Sequence, residues 1–150
     1  MRTFKIYTAG AMSGLDLPQQ MDWRFDLESA VRREAAANAS MYALSFVHPP
    51  LFYRYDVHWH QTEREAMQWD LAQIRDSDIV VVNLDNIADS IGTHMELGFI
   101  EAMNQFGNHH IHVIGIGEQN VEHPWLHEMM SRIEPTIADA AVYIAEYLLV

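Results

Sequence analysis

The run from Asp78 to Gly98, DIVVVNLDNIADSIGTHMELG, limits the fold more than any other stretch. Ile79 to Val82 are all β-branched and read as a strand buried on both faces. A polar segment follows, and Gly92 and Thr93 then open a helix carrying Glu96. A buried strand, a turn and a helix make half of a βαβ unit. Ligands of such sheets sit beyond the carboxyl ends of the strands. Glu96 is placed there, about one turn into its helix.

The rest of the chain repeats the pattern. Phe4 to Ala9 is a strand, and AGAMSG turns off its end, where Gly10 permits close approach of a ligand. The turn is not GxGxxG, so a dinucleotide site has no support; a tight βα turn without a ligand is the alternative. Leu15 to Gln20 reads as loop. Met21 to Asn38 reads as a helix, with Phe25, Leu27, Val31 and Ala35 on its apolar side. Tyr42 to Val47 is a second strand, ended by His48-Pro49-Pro50.

Leu51 to Gln61 is irregular and aromatic. Its Trp59 suits a flap that stacks on a flat substrate, or packing against the sheet edge. Thr62 caps a helix to Asp76, with Glu65 completing a capping-box pattern. Met67, Leu71 and Ile74 form that helix's apolar side, and Asp70 projects close to it. In the Glu96 helix, Thr93 to Phe106, the four-residue spacing of Met95, Phe99 and Met103 reads as core. Ile111 to Gly115 is a strand and Trp125 to Ile133 a helix. A short strand near Ile133 to Ile137 precedes a helix to Leu149, with Ala138, Ala141, Ile144, Ala145 and Leu148 inside. The sum is one three-layer α/β domain over 1–150, Rossmann-like, with four to five mostly parallel strands and helices on both faces.

Composition excludes several functions. With no cysteine among 150 residues, disulfides and thiolate chemistry are ruled out. The net charge is -12, and from Asp76 onward there are 12 acidic residues against one basic, Arg132. Long nucleic acid is not an expected partner of such a chain. No apolar run approaches the ~20 residues of a spanning helix, and no signal peptide is evident. A cytoplasmic protein without membrane contact is expected. The nine histidines form no HExxH, and His123-Pro124 reads as a helix start, so no metal is expected.

A charged carboxylate in the Glu96 position suits attack on, or stabilisation of, a sugar anomeric carbon. Helix position favours its charged form. Asp70, Asp78, Asp85 and Asp89 are candidate partners, since glycosyl chemistry uses paired carboxylates.

Three blocks, KIYTAGAMSG, WDLAQIRDSDIVVVNLD and DSIGTHMELGFIEA, resemble the nucleoside 2-deoxyribosyltransferase superfamily in order and over most of the chain. The last block is the most specific. The resemblance implies a flavodoxin-like sheet and cleavage of the N-glycosidic bond of 2'-deoxynucleosides. In relatives that act as hydrolases, the substrate is a nucleoside 5'-monophosphate. It further implies Glu96 as nucleophile, Asp70 as the residue assisting the base, and Tyr7 as the aromatic that places the nucleophile. It also implies Gly10 as the turn glycine near the ligand and Ser90 as the contact to the 5' end of the sugar; Ser13, Asp89, Gly92 and Trp59 are further candidate substrate contacts read from their positions in the chain.

Two positions disagree about the substrate. Ser90 stands where transferases acting on free nucleosides carry Asp, and serine tolerates a phosphate. Ser13 stands where monophosphate enzymes carry arginine. The implied reaction is deoxyribosyl exchange between bases through a glycosyl-Glu96 intermediate. The alternative is hydrolysis of a deoxynucleoside 5'-monophosphate. A binding module without turnover is a third reading. The implied partners are the deoxynucleoside or deoxynucleotide, a free nucleobase, and further copies of the chain in a homodimer or larger assembly. No cofactor is implied.

Overall fold

A computed structural model describes residues 1–39, 41–53, 60–117 and 123–150. Five strands form one sheet: β1 (Arg2–Ala9), β2 (Tyr42–Val47), β3 (Ile79–Asn83), β4 (His112–Ile116) and β5 (Arg132–Glu134). Their order is β2-β1-β3-β4-β5, and every neighbouring pair is parallel. This is the flavodoxin-like order. The helices are α1 (Leu17–Ala35), α2 (Glu63–Arg75), α3 (Ile91–Phe106), α4 (Pro124–Glu128) and α5 (Ile137–Tyr143), which continues into a π-helical turn over Ile144–Leu148.

Strand alternation divides the core. Phe4, Ile6, Ile79, Val81 and Ile114 face α1 and α5, packing on Leu27, Val31, Ala141 and Ile144. Tyr7, Ala9, Val80, Val82 and Val113 face the other way, onto Ile74, Leu97, Ile100 and Leu126. Thus neighbours in β1 serve opposite layers. β1 lies between β2 and β3, so successive connections leave it in opposite directions. The crevice this opens lies at the carboxyl ends of β1 and β3, beside Gly10 and Asn83.

The helix starts have local causes. Asp16 caps α1 by accepting from the Gln19 amide at 2.8 Å, while the Gln19 side chain accepts from the Asp16 amide at 3.0 Å. This capping box, with Pro18 in the first turn, starts α1 inside the segment that reads as loop. Thr62 accepts from the Glu65 amide, as its pattern predicts, but the Glu65 carboxylate reaches the Gln61 amide. His123 caps α4 through its ring nitrogen.

Several expected inner faces are rotated. Phe25 is exposed, and the buried line of α1 runs Met21, Arg24, Leu27, Ala30, Val31 and Ala35. Met67 and Met95 are exposed, whereas Ala66, Ile74, Leu97 and Ile100 are buried. Phe99 and Met103 pack only partly against the core. In α5, Ala138 is exposed and Ala140 is buried. An apolar residue at the margin of a stripe fits the 3.6-residue pattern as well as one at its centre, so spacing alone leaves the face about one position uncertain. The helix expected to run from Trp125 to Ile133 stops at Glu128, because Arg132–Glu134 pairs with β4. No described helix is long and apolar enough to cross a membrane.

Candidate active site

Four elements bring ionisable groups to the carboxyl side of the sheet. β1 supplies Tyr7, which is fully buried and faces α2 and α3. α2 supplies Asp70 and α3 supplies Glu96, both half-buried. The segment after β2 supplies Tyr53, whose hydroxyl donates to Asp70 Oδ2 at 2.5 Å. Among the described residues, the other oxygen, Asp70 Oδ1, is buried without a partner, as are the Tyr7 hydroxyl and His60 Nε2. Buried polar atoms are ordinarily paired, so orphans gathered around two carboxylates mark a place prepared for a ligand.

The electrostatics tie the group together. Burial raises the Glu96 pKa, the Asp70 charge raises it further, and Arg24 and Tyr7 pull it down; the result is about 8. Tyr7 therefore lies close enough to hold the carboxylate, although the pair lacks good hydrogen-bond geometry. Burial also raises Asp70, against its bond from Tyr53 and the charge of His60. Tyr7 and Tyr53 are both raised, by burial first and by the two carboxylates next.

This overturns the expectation that helix position keeps Glu96 charged. α3 begins at Ile91, which puts Glu96 beyond the first turn. The dipole fades over that distance, and burial beside a like charge dominates.

The aromatic segment is described only at its two ends. Phe52 lies against Trp69 with centroids 4.4 Å apart, and His60 lies near both Trp69 and Tyr53. Trp59 lies outside the described residues. Gly10 is where the sequence puts it, at the end of β1, and the space it leaves is used. A Cβ there would stand 3.1 Å from the Trp23 ring, 3.4 Å from Asn83 and 3.7 Å from Arg24 Nη2.

Gly92 stands one helical turn before Glu96 in α3. Ser13, Asp89 and Gly92 are exposed. Ser90 begins α3, with its hydroxyl 2.6 Å from that of Thr93. Two cavities of about 400 Å³ each open at the same edge of the sheet and share Trp23, Asn83 and Asp85 as lining. Neither is lined by Glu96 or Asp70. Among the described residues, no three His, Asp or Glu side chains converge to hold a metal ion.

Arg24, Tyr53 and His60 were not legible as site residues. Arg24 had a signal: it falls three residues after Met21 and three before Leu27, a charge inside an apolar stripe. Tyr53 and His60 sit in irregular chain, where no periodicity indicates direction.

Three solved structures resemble this one. A conserved protein from Enterococcus faecalis matches with a TM-score of 0.65 at 16% identity, over 93% of this chain and 95% of its own. A 2-deoxyribosyltransferase from Bacillus psychrosaccharolyticus matches with a TM-score of 0.64 at 18% identity, over 93% and 91%. A CMP N-glycosidase from Clostridium botulinum matches with a TM-score of 0.52 at 12% identity, over 95% and 99%. The chain has the fold of these proteins. No protein-family model matches the sequence, and neither does any curated protein. At such identities the deoxyribosyltransferase fold is what is shared, and chemistry must be argued from side chains.

Proposed function

We propose that the protein cleaves the N-glycosidic bond of 2'-deoxynucleosides and passes the deoxyribosyl group to another base, through Glu96. The observation that carries this reading is the half-buried Glu96–Asp70 pair beside Tyr7, in a sheet of deoxyribosyltransferase fold.

Like charges confined together retain a proton, so near neutrality the pair holds one negative charge and one acid. That is the complement glycosyl transfer needs. In the form with the shared proton moved from Glu96 to Asp70, the Glu96 carboxylate attacks C1'. The C1'–N bond breaks, and the proton passes from Asp70 to the departing base. An acceptor base then attacks C1', the ester bond to Glu96 breaks, and a proton returns to Asp70. Tyr7 faces the Glu96 carboxylate and restrains it, and Tyr53 does the same for Asp70 Oδ2. Asp70 Oδ1 is left free to meet the base. Gly10 and Ser90 are assigned to substrate contact by sequence resemblance, and Ser13, Asp89, Gly92 and Trp59 by their positions in the chain. Transfer requires that water be kept from the intermediate, and the segment 51–61, of which 54–59 lie outside the described residues, is the candidate cover read from the sequence. Further copies of the chain complete the assembly in this reading.

A second reading, hydrolysis of a deoxynucleoside 5'-monophosphate, draws on the start of α3. There Ser90 makes no side-chain cap, which leaves backbone N–H groups available to a phosphate. The resemblance to a CMP N-glycosidase favours it too.

One experiment separates the two readings: incubation with deoxynucleosides and their 5'-monophosphates, with and without an acceptor base, with products resolved by chromatography. Exchange on free nucleosides supports the first reading. Base release confined to monophosphates supports the second and overturns the first. No turnover on any substrate overturns both.

A further inference from the structure

Arg24 is a large charged side chain with no exposed surface, and it belongs to the α1 layer. Its Nε donates to the Thr8 hydroxyl at 3.1 Å, and its Nη1 donates to the Gln20 carbonyl. Its Nη2 is buried with no partner among the described residues. That nitrogen lies beside Gly10 at the end of β1, 3.7 Å from where a Cβ of residue 10 would stand. An arginine on the far side of a sheet from Glu96 and Tyr7 thereby comes within electrostatic reach of both. The Trp23 ring lies 4.6 Å from the guanidinium, a cation–π contact.

A polar chain fixes the guanidinium from behind. The Thr8 hydroxyl is 2.9 Å from His48 Nδ1, and His48 Nε2 is 2.6 Å from Glu28 Oε2. Glu28 Oε1 accepts from Arg32 at 3.0 Å. Thr8 and His48 are buried, with 0% and 4% exposure. Burial lowers His48, against the pull of Glu28. Burial raises Glu28, but the bonds from His48 and Arg32 outweigh it and leave it low. The imidazole is therefore neutral beside an ionised carboxylate. Its Nε2–H donates to Glu28, and its Nδ1 accepts the Thr8 proton. Thr8 oxygen is then left to accept from Arg24. With the Nε2 proton directed at Glu28, the donors run from Arg24 towards Glu28, and the Val47 carbonyl, 3.3 Å away, is a second acceptor for the Thr8 hydroxyl.

We propose that Arg24 is a positioning residue for the reaction: anchored through Thr8, His48 and Glu28, it supplies the fixed positive charge against which Glu96 becomes an ionised nucleophile. The inference rests on the reading of Glu96 given above. Burial pushes Arg24 down to about 10, which leaves it charged at neutral pH. Among the described residues, the groups facing Glu96 from other elements are Tyr7 of β1, Arg24 of α1, Tyr53 after β2 and Asp70 of α2. Arg24 is the cation in that set, opposed by the Asp70 charge. Fully buried as it is, Arg24 acts on the carboxylate and not on the substrate.

The test measures kcat/KM and KM against pH for base exchange, in the parent, R24M, R24K and T8V. Removing the cation moves the acid limb of the parent's profile up by about one pH unit in R24M. At pH 7 this costs about tenfold in kcat/KM with little change in KM. R24K restores part of the shift. T8V, which removes only the hydroxyl link, moves the limb the same way by a smaller amount, and carries the test if R24M does not fold. An acid limb at the parent's position in R24M and T8V, with activity lost uniformly across pH, overturns the inference and leaves the proposed reaction standing. A parent inactive on every substrate overturns the reaction and the inference with it.

Discussion

At the scale of single residues, the balance around Glu96 decides the account. Its pKa is raised from 4.5 to about 8 by burial and by Asp70. Between these values the native protein holds a proton that the unfolded chain has released. Stability must then fall as pH rises through that window. Glu96→Gln removes the linkage. Denaturant unfolding should find it more stable than the parent at about pH 9, by on the order of 3 kcal/mol, with little difference at about pH 4. Equal pH slopes in the two proteins would contradict the assignment. Asp70→Asn removes the like charge, so the acid limb of kcat/KM should move to lower pH. The lost proton donor should also lower kcat by about 10²-fold or more. An unmoved limb would show that Asp70 does not face Glu96. Neither carboxylate's charge state was legible in the sequence: the helix position of Glu96 was visible, but its depth of burial was not.

At the scale of elements, α1 shows what periodicity can and cannot say. A helix over most of Met21 to Asn38 was legible, but its face was not. Phe25 and Leu27 both fit an apolar stripe, yet Leu27 is buried and Phe25 is half exposed. Leu27→Ala should therefore cost about 2–4 kcal/mol in thermal or denaturant unfolding. Phe25→Ala should cost about 1 kcal/mol or less. Equal costs would mean that the face is drawn wrongly. The same ambiguity concealed Arg24, because the line through Phe25 skips it. In α3 the four-residue spacing of Met95, Phe99 and Met103 pointed at core, but Met95 is exposed and Leu97 and Ile100 carry the packing. The start of α1 was missed for a different reason. Asp16 and Gln19 form a reciprocal cap that the polar composition of Leu15 to Gln20 disguised as loop.

At the scale of the whole molecule, the strand order creates the site. β1 sits between β2 and β3, so Tyr7 and Thr8, adjacent in one strand, address opposite layers. The sequence reached this far because hydrophobic runs alternating with amphipathic helices specify a doubly wound sheet. It did not reach the contacts that join layers, such as Tyr53 to Asp70 or Arg24 past Gly10, because these depend on distances between segments remote in the chain. Gly10→Ala tests that junction. The added methyl would meet the Trp23 ring at 3.1 Å. It should lower exchange activity about tenfold or more by displacing Trp23 and Arg24, with a loss of stability of about 1 kcal/mol. Unchanged activity would show that the junction does not support the site.

The central claim is that Glu96 bonds to the sugar. The most direct measurement is rapid acid quenching of the protein with a deoxynucleoside donor and no acceptor base, followed by intact-mass and peptide mass spectrometry. The account predicts one added deoxyribosyl unit, located on Glu96 and absent from Glu96→Gln. Base release with no adduct on Glu96, or with an adduct on another residue, would contradict it.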